Sequence, residues 1–94
     1  MTDEDHIHDA CILREAMIME EDTINKYQRF LHELKTDDAK EIMKHIIAEE
    51  MRHSGEFHQG ITEYCNMYAR EFHLGVLESI AVFEKNDRDL TPLI

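Results

Sequence analysis

Apolar side chains recur at helical spacing over the first third of the chain. They are three or four residues apart, which is the repeat of one face of an α-helix. The members of this series are Leu13, Met17, Ile24, Tyr27, Leu31 and Leu34. The series predicts a first helix over about residues 10–35. One position within it holds a charged residue, Glu20, where the repeat calls for an apolar one.

A second helical series begins after a short polar link. Thr36 followed by Asp37 and Asp38 is typical of a helix start, because threonine caps free N–H groups and acids suit the helix dipole. This series predicts a second helix that runs to about Gly60. Its members are Ala39, Met43, Ile46, Glu50, His53 and Phe57. The stripe of the second helix is therefore interrupted twice in succession, by a carboxylate and an imidazole.

A third helix is predicted over about residues 61–84. One side of it carries Tyr64 or Cys65, Tyr68, Phe72 and Val76. Residues 1–9 and 86–94 are predicted to be polar or flexible tails. Strand-type alternation and internal repeats are not evident, and only 3 glycines and 1 proline are available to turn the chain. The sequence thus predicts one all-α domain over residues 1–94.

The link between the first two helices, near Lys35, is so short that the helices must form an antiparallel hairpin. Glu20 lies fifteen residues before Lys35 and Glu50 lies fifteen residues after it. Each helix rises about 1.5 Å per residue, so the two carboxylates lie at the same height. His53 is three residues beyond Glu50, on the same helix face. Two carboxylates and one imidazole are therefore expected to converge in the seam between the helices.

A carboxylate on an apolar stripe is costly to bury unless a positive group meets it. One interpretation is a polar layer of a coiled coil, in which Glu20 and Glu50 pair with Arg or Lys and set the register. The other is a metal site. Di-iron carboxylate bundles take one Glu from each of two helices and a Glu-x-x-His from each of the other two. The hairpin offers half of that set, and a two-fold dimer would supply all of it for two Fe ions.

The net charge of the chain excludes some classes of binding partner. Asp and Glu total 21 against 10 Lys and Arg, which gives a formal net charge of −11. Such a chain repels phosphate backbones and anionic membrane surfaces, so neither nucleic acid nor a membrane is an expected partner. The sequence has no apolar run of membrane length and no signal-peptide pattern, which predicts a cytoplasmic protein with Cys11 and Cys65 as free buried thiols.

The sequence resembles the encapsulated ferritins, a branch of the ferritin-like superfamily, from about Glu15 to Phe72. The resemblance is carried by one set of residues and their spacing: Glu20, Tyr27, His45, Glu49, Glu50 and His53. It implies a half-ferritin, a hairpin plus a third helix, whose four-helix bundle is completed by dimerisation. It further implies that homodimers assemble into a ring-shaped decamer.

By position, the resemblance implies that Glu20, Glu50 and His53 are iron ligands and that Tyr27 lies beside the centre. His45 would then lie near the side where metal enters. The implied activity is that of a ferroxidase, which oxidises Fe(II) with oxygen in iron storage or detoxification and passes iron to an encapsulin shell. The C-terminal residues Leu90–Ile94 lack the Gly-Ser-Leu-like core of the usual targeting peptide, so encapsulation is not evident from this chain.

Two alternative functions stay open at this point. One is a rubrerythrin-like di-iron peroxide reductase, although the four-cysteine iron centre that usually serves such enzymes is absent. The other is a non-enzymatic helical oligomerisation module with a polar seam. The first alternative shares the metal ligands and differs in its oxidant, whereas the second needs no metal at all.

Overall fold

The computed structural model describes residues 2–86 of the chain, so the predicted tail beyond Asn86 lies outside the described residues. Three α-helices follow one another: α1 spans Asp3–Glu33, α2 spans Asp37–Tyr64 and α3 spans Asn66–Lys85. Residues 2–86 contain no strand, and none of their helices is long and apolar enough to cross a membrane. The prediction of an all-α chain is confirmed.

The predicted tail at residues 1–9 is wrong, because α1 already begins at Asp3. Thr2 and Asp5 form a capping box: the Thr2 hydroxyl accepts from the Asp5 N–H at 3.1 Å, and the Asp5 carboxylate accepts from the Thr2 N–H at 3.2 Å. Three acids in the first turn, Asp3, Glu4 and Asp5, add to the stability of this end. The capping pattern outweighs the low hydrophobicity that suggested a tail.

The predicted boundary between the second and third helices is also wrong. α2 continues through Gly60 to Tyr64, because Ile61 remains on its buried side and is completely inaccessible to solvent. The break falls instead at Cys65, a single residue with extended backbone angles (φ −138°, ψ 98°). Gly60 has a packing role in the hairpin rather than a terminating one.

α1 and α2 form the predicted antiparallel hairpin. The link has three residues, and Thr36 caps α2 by accepting a hydrogen bond from the Ala39 N–H at 3.4 Å. Residues early in α1 meet residues late in α2, as the stacked rings of His6 and Tyr64 show with centroids 4.8 Å apart. The two helices therefore lie side by side along most of their length.

The core of the hairpin is a narrow seam with a seven-residue repeat. Its buried members are Ala10 and Ile24 on α1 and Ile47, Ser54 and Ile61 on α2. A seven-residue spacing is the repeat of coiled-coil packing, which keeps one line of side chains facing the partner helix. Ser54 is the exception within this apolar line, because its hydroxyl is buried and makes no hydrogen bond.

Beside the seam, each helix carries a second line of side chains at seven-residue intervals, all of them half-buried. We call these two lines together the half-buried face. Its members are Leu13, Glu20, Tyr27 and Leu34 on α1, and Met43, Glu50, Phe57 and Tyr64 on α2. Two of these eight residues are carboxylates, and the other six present apolar or aromatic groups. The face is thus apolar except at its centre.

The molecule is a single layer of helices, with overall extents of 50 × 39 × 16 Å. A helix with its side chains is about 10–12 Å across, so a thickness of 16 Å leaves no room for a second layer. α3 packs against α2 only near its N-terminal end, through Tyr68 and Phe72 on His58. Stable domains bury apolar faces between at least two layers, and the described residues 2–86 form only one.

The two cysteines are free, as expected, but they are not buried. Cys11 is exposed on α1 and Cys65 is half-buried at the break between α2 and α3. The expectation of buried thiols is wrong because the repeat of α1 directs Ala10, not Cys11, into the seam.

The role of Gly60 yields a test with a matched control on the same helix. A methyl group added at Gly60 would lie 2.9 Å from Cδ1 of Leu13, whereas one added at Gly55 would meet nothing within 4 Å. Gly55→Ala should stabilise the chain by about 0.5–1 kcal/mol through helix propensity. Gly60→Ala should lose that gain, because Leu13 must move. Urea unfolding followed by circular dichroism measures both, and equal gains would contradict the close approach.

Candidate metal centre

Three residues from two helices meet at the centre of the half-buried face. Glu20 comes from α1, and Glu50 and His53 come from α2. Each offers one ligand atom, and the three atoms all lie within 4.8 Å of one another. Nδ1 of His53 is 3.0 Å from Oε1 of Glu20 and 3.8 Å from Oε2 of Glu50. The hairpin thus brings together the three residues that interrupt the apolar stripes of the sequence.

Two regularities of the helices place these side chains. Glu20 and Glu50 are equally far from the turn, so the antiparallel arms hold them at one height. Each carboxylate also occupies one place in a line of residues at seven-residue spacing, between Leu13 and Tyr27 on α1 and between Met43 and Phe57 on α2. His53 follows Glu50 by three residues and therefore joins it on the same side of α2.

The three groups perturb one another strongly. The hydrogen bond between the carboxyls of Glu20 and Glu50 lowers the pKa of Glu20 and raises that of Glu50, and His53 lowers the pKa of Glu20 further. The hydrogen bond to Glu20, together with both nearby carboxylates, raises the pKa of His53. Two carboxylates this close favour binding of one proton between them. A metal cation would compete with that proton for the same place.

The site is open on one side. The side chains of Glu20 and Glu50 are each 20 % exposed, and that of His53 is 51 % exposed. A metal bound by Glu20, Glu50 and His53 would have three protein ligands, and its solvent side would be free for further ligands. Carboxylates with an imidazole are a donor set that suits Fe(II), Mn(II) and Zn(II). The geometry therefore fits a divalent metal and is incomplete for one within a single chain.

A polar coiled-coil layer predicts Arg or Lys beside the two carboxylates. Within residues 2–86, the only positively charged partner of Glu20 and Glu50 is His53. The basic side chains in ion pairs bind acids elsewhere: Lys26 with Asp22, Lys44 with Glu41 and Arg70 with Glu71. The carboxylates are consequently not neutralised by a fixed basic residue of the described chain.

Tyr27, placed beside the centre by the resemblance, makes no hydrogen bond with the three ligand candidates in the described structure. Its ring lies against Phe30 with centroids 6.3 Å apart. It follows Glu20 by seven residues, which places it about 10 Å along the helix. Within one chain Tyr27 is therefore a neighbour of the site on the half-buried face and not a contact of it.

Glu49 and His45 form an ion pair of their own, with Nε2 of His45 2.7 Å from Oε1 of Glu49. Glu49 is one residue before Glu50 and about 100° around the helix from it. This pair is therefore separate from the group of three possible metal ligands, Glu20, Glu50 and His53.

Ser54 is a residue of this region that the sequence reasoning missed. It directly follows His53, and its hydroxyl is buried in the seam without a hydrogen-bond partner. The signal was the seven-residue repeat itself, because Ser54 lies seven residues after Ile47 and seven before Ile61.

Comparison of the chain with protein-family models, with curated proteins and with solved structures gives no match. The resemblance to encapsulated ferritins, the ring-shaped decamer and the encapsulin shell therefore stay predictions.

The perturbed pKa values predict how metal binding depends on pH. A protonated His53 cannot bind a metal, and its raised pKa extends the protonated form above the ordinary value of about 6.5. Protonation of Glu50 also weakens metal binding, at lower pH. The raised pKa of Glu50 extends this effect upward in pH. Affinity for Fe(II) should therefore increase with pH, and part of the increase should lie above about pH 6.5.

Anaerobic calorimetric titration of Fe(II) between about pH 5 and pH 8 measures this dependence. His53→Ala should bind more weakly and lose the upper part of the pH dependence. An affinity that is constant over this range, or an identical profile in His53→Ala, would contradict the assignment of His53 as a ligand.

Proposed function

We propose that two copies of the chain pair through their half-buried faces, form a centre for two iron ions, and oxidise Fe(II) as a ferroxidase. The observation that carries the proposal is the convergence of Glu20, Glu50 and His53 within 4.8 Å at the centre of an otherwise apolar face. A metal explains why three ionisable groups occupy a position where apolar residues would be more stable.

The ligand count supports two copies. One chain supplies two carboxylates and one imidazole. Two chains related by a two-fold axis supply four carboxylates and two imidazoles, which is the donor set of di-iron carboxylate bundles. Four carboxylates also balance the charge of two divalent cations, so the paired centre carries no net charge from these groups at neutral pH.

The shape of the molecule supports the same pairing. A single layer of helices exposes one side of every apolar stripe, and a second hairpin placed on it gives the two layers of a four-helix bundle. The half-buried face suits this contact because Leu13, Tyr27, Met43 and Phe57 surround the carboxylates with apolar groups. Burial of these groups favours association, since complete burial of a large apolar side chain is worth about 1.5–3 kcal/mol and each of these is still partly exposed.

Iron supplies the redox chemistry: two Fe(II) ions each lose one electron, and dioxygen takes both electrons with two protons to give hydrogen peroxide. The residues of the chain bind and position the ions. Glu20 and Glu50 neutralise their charge, and His53 provides the nitrogen donor. Protons displaced from Glu50 and His53 by the incoming metal leave through the open side, where half of the His53 side chain meets solvent.

The two alternatives differ from this proposal in measurable ways. A peroxide reductase would use the same carboxylates but oxidise Fe(II) faster with hydrogen peroxide than with oxygen. A non-enzymatic module would assemble without iron. The three-residue group with no fixed basic partner favours a metal over the module.

The central test is an anaerobic titration of Fe(II) followed by sedimentation. We expect one iron per chain, because two chains share two irons, with metal binding favouring the dimer by mass action. Glu50→Ala and His53→Ala should lower the affinity for iron by at least about tenfold, as loss of a ligand does. Glu49→Ala and His45→Ala are matched controls that remove a neighbouring carboxylate and imidazole, and they should bind iron as the parent does.

Two results would contradict the metal centre. One is a monomer that holds two irons, and the other is unchanged affinity in both Glu50→Ala and His53→Ala.

The proposed oxidant is tested with an oxygen electrode and the absorbance of Fe(III). We expect about two Fe(II) oxidised per dioxygen in the dimer, and loss of the rate in Glu20→Ala, because the two electrons of dioxygen reduction come from two irons. Rapid oxidation by peroxide with a negligible rate in oxygen would favour the peroxide reductase. Oxidation no faster than in buffer, with either oxidant, would contradict both enzymatic functions.

A further inference from the structure

We infer that residues 48–56 of α2 open locally in the metal-free chain, and that a cation held by Glu20, Glu50 and His53 closes this stretch against α1. We call residues 48–56 the central stretch. The closing step rests on the proposed metal centre, whereas the local opening of the metal-free chain does not. Beyond the proposed function, the bound metal thus has a second effect, on the local stability of the hairpin.

The central stretch contains no large apolar side chain that is buried or half-buried. Its nearest apolar anchors lie at its two ends, where Ile47 is buried and Phe57 is half-buried. Met51, the one large apolar residue within it, is 50 % exposed. Most of the stability of a helix in a protein comes from packing of its apolar side, because short helices are marginal in water. The central stretch is the longest part of α2 without such packing.

Two adjacent residues weaken the central stretch further. A glycine inside a helix is less stable than an alanine, and a methyl group added at Gly55 would meet nothing within 4 Å, so packing does not explain this glycine. Ser54 occupies a buried position of the seam, yet its hydroxyl has no hydrogen-bond partner. The hydroxyl of Thr23 on α1, by contrast, donates to the Met19 carbonyl at 3.0 Å. Pairs of serine and glycine are also places where helices bend.

Polar contacts, rather than apolar burial, hold the central stretch to α1. Nδ1 of His53 is hydrogen-bonded to Oε1 of Glu20 at 3.0 Å, and the carboxyl of Glu50 is hydrogen-bonded to that of Glu20. At the same height α1 holds Ala16 and Met17, both half-buried, but the central stretch offers them no buried large apolar residue. Half of the His53 side chain is exposed, so water competes for these contacts and they hold the stretch only weakly.

A bound cation changes this balance. An ion shared by Glu20, Glu50 and His53 joins α1 to one turn of α2, and an opened central stretch cannot hold all three ligands in place. Binding to the closed form alone favours that form by mass action, about a hundredfold when the free metal is at about a hundred times its Kd. The central stretch is therefore the part of the hairpin whose local stability responds most to the metal.

Amide hydrogen exchange in the full metal-free chain, measured residue by residue by NMR, tests the local opening. The amides of residues 52–58 donate to the carbonyls of residues 48–54, so their exchange reports the opening of the central stretch. Their protection factors should be at least about tenfold lower than those of the amides of residues 45–48, beside Ile47, because local opening is easiest where few apolar contacts are buried. Equal protection of the two sets of amides would overturn the inference.

Two glycine variants form a matched pair for the same measurement. Gly55→Ala and Gly75→Ala each add a methyl group at an exposed helix position where nothing lies within 4 Å. Gly55→Ala should slow exchange of the amides of residues 52–58 about two- to fivefold, the factor that corresponds to the helix propensity of alanine over glycine. Ser54→Ala, which removes the unpaired hydroxyl, should slow them as well. Gly75→Ala should leave them unchanged, and an equal effect of the two glycine variants would contradict a local opening.

Limited trypsin digestion with and without Zn(II), which the same donors suit and which has no redox chemistry, tests the closing step. Arg52 lies in the central stretch and Lys44 lies outside it on the same helix, and both are exposed. Relative to the urea-unfolded chain, metal-free protein should be cut at least about tenfold faster after Arg52, because cleavage follows the population of the open form. Zn(II) at about a hundred times its Kd should slow this cut about a hundredfold. His53→Ala should lose the protection.

Failure of this inference is distinguishable from failure of the metal centre. If the metal centre fails, His53→Ala will not change iron binding, yet the amides of residues 52–58 will still be the less protected set in the metal-free chain. If the central stretch does not open, iron will bind at one per chain and depend on His53, yet the two sets of amides will be equally protected. Zn(II) that binds through His53 but leaves cleavage after Arg52 unchanged would overturn the closing step.

Discussion

The contact between His53 on α2 and Glu20 on α1, with Glu50 beside it, is the interaction that organises the candidate site. It joins the two arms of the hairpin at a separation of 3.0 Å, and it places three ionisable groups at the centre of an apolar face. In the described chain neither carboxylate has a Lys or Arg partner, and their mutual contact lowers the pKa of Glu20 and raises that of Glu50. A shared proton and a bound cation satisfy the same electrostatic demand, which is why the site is a candidate metal centre as well as a joint between two helices.

The second constraint is the thickness of the molecule. With an extent of 16 Å in its thin direction, the described chain has one layer of helices and a core of four small or medium apolar residues and one serine. A layer of this kind has two sides and can bury only its internal seam. The half-buried face is the apolar surface of the hairpin that this single layer leaves partly exposed, and it carries Glu20 and Glu50 at its centre. These two carboxylates are the groups that a bound cation would neutralise.

Much of this arrangement follows from spacing alone. The equal distance of Glu20 and Glu50 from Lys35, and the three residues from Glu50 to His53, place the ligand candidates correctly once the hairpin is recognised. The helix ends were less predictable: the Thr2–Asp5 capping box contains Asp where the usual signature has Glu or Gln, and Gly60 suggested an end although it accommodates Leu13. The direction of α3, its burial and the isolated hydroxyl of Ser54 depend on contacts between distant residues, which no local pattern specifies. The ring contact of Tyr27 with Phe30, by contrast, is the one that a three-residue separation on a helix gives.

The most direct test of the central claim is a crystal structure of the iron-loaded protein with the iron positions determined from anomalous scattering. We expect two irons about 3.5–4 Å apart at a two-fold axis between two hairpins, as in other two-metal sites. Each iron should be bound by Glu20, Glu50 and His53, with ligands from both chains in the shared centre. Iron held by one chain alone, or located away from these three residues, would contradict it.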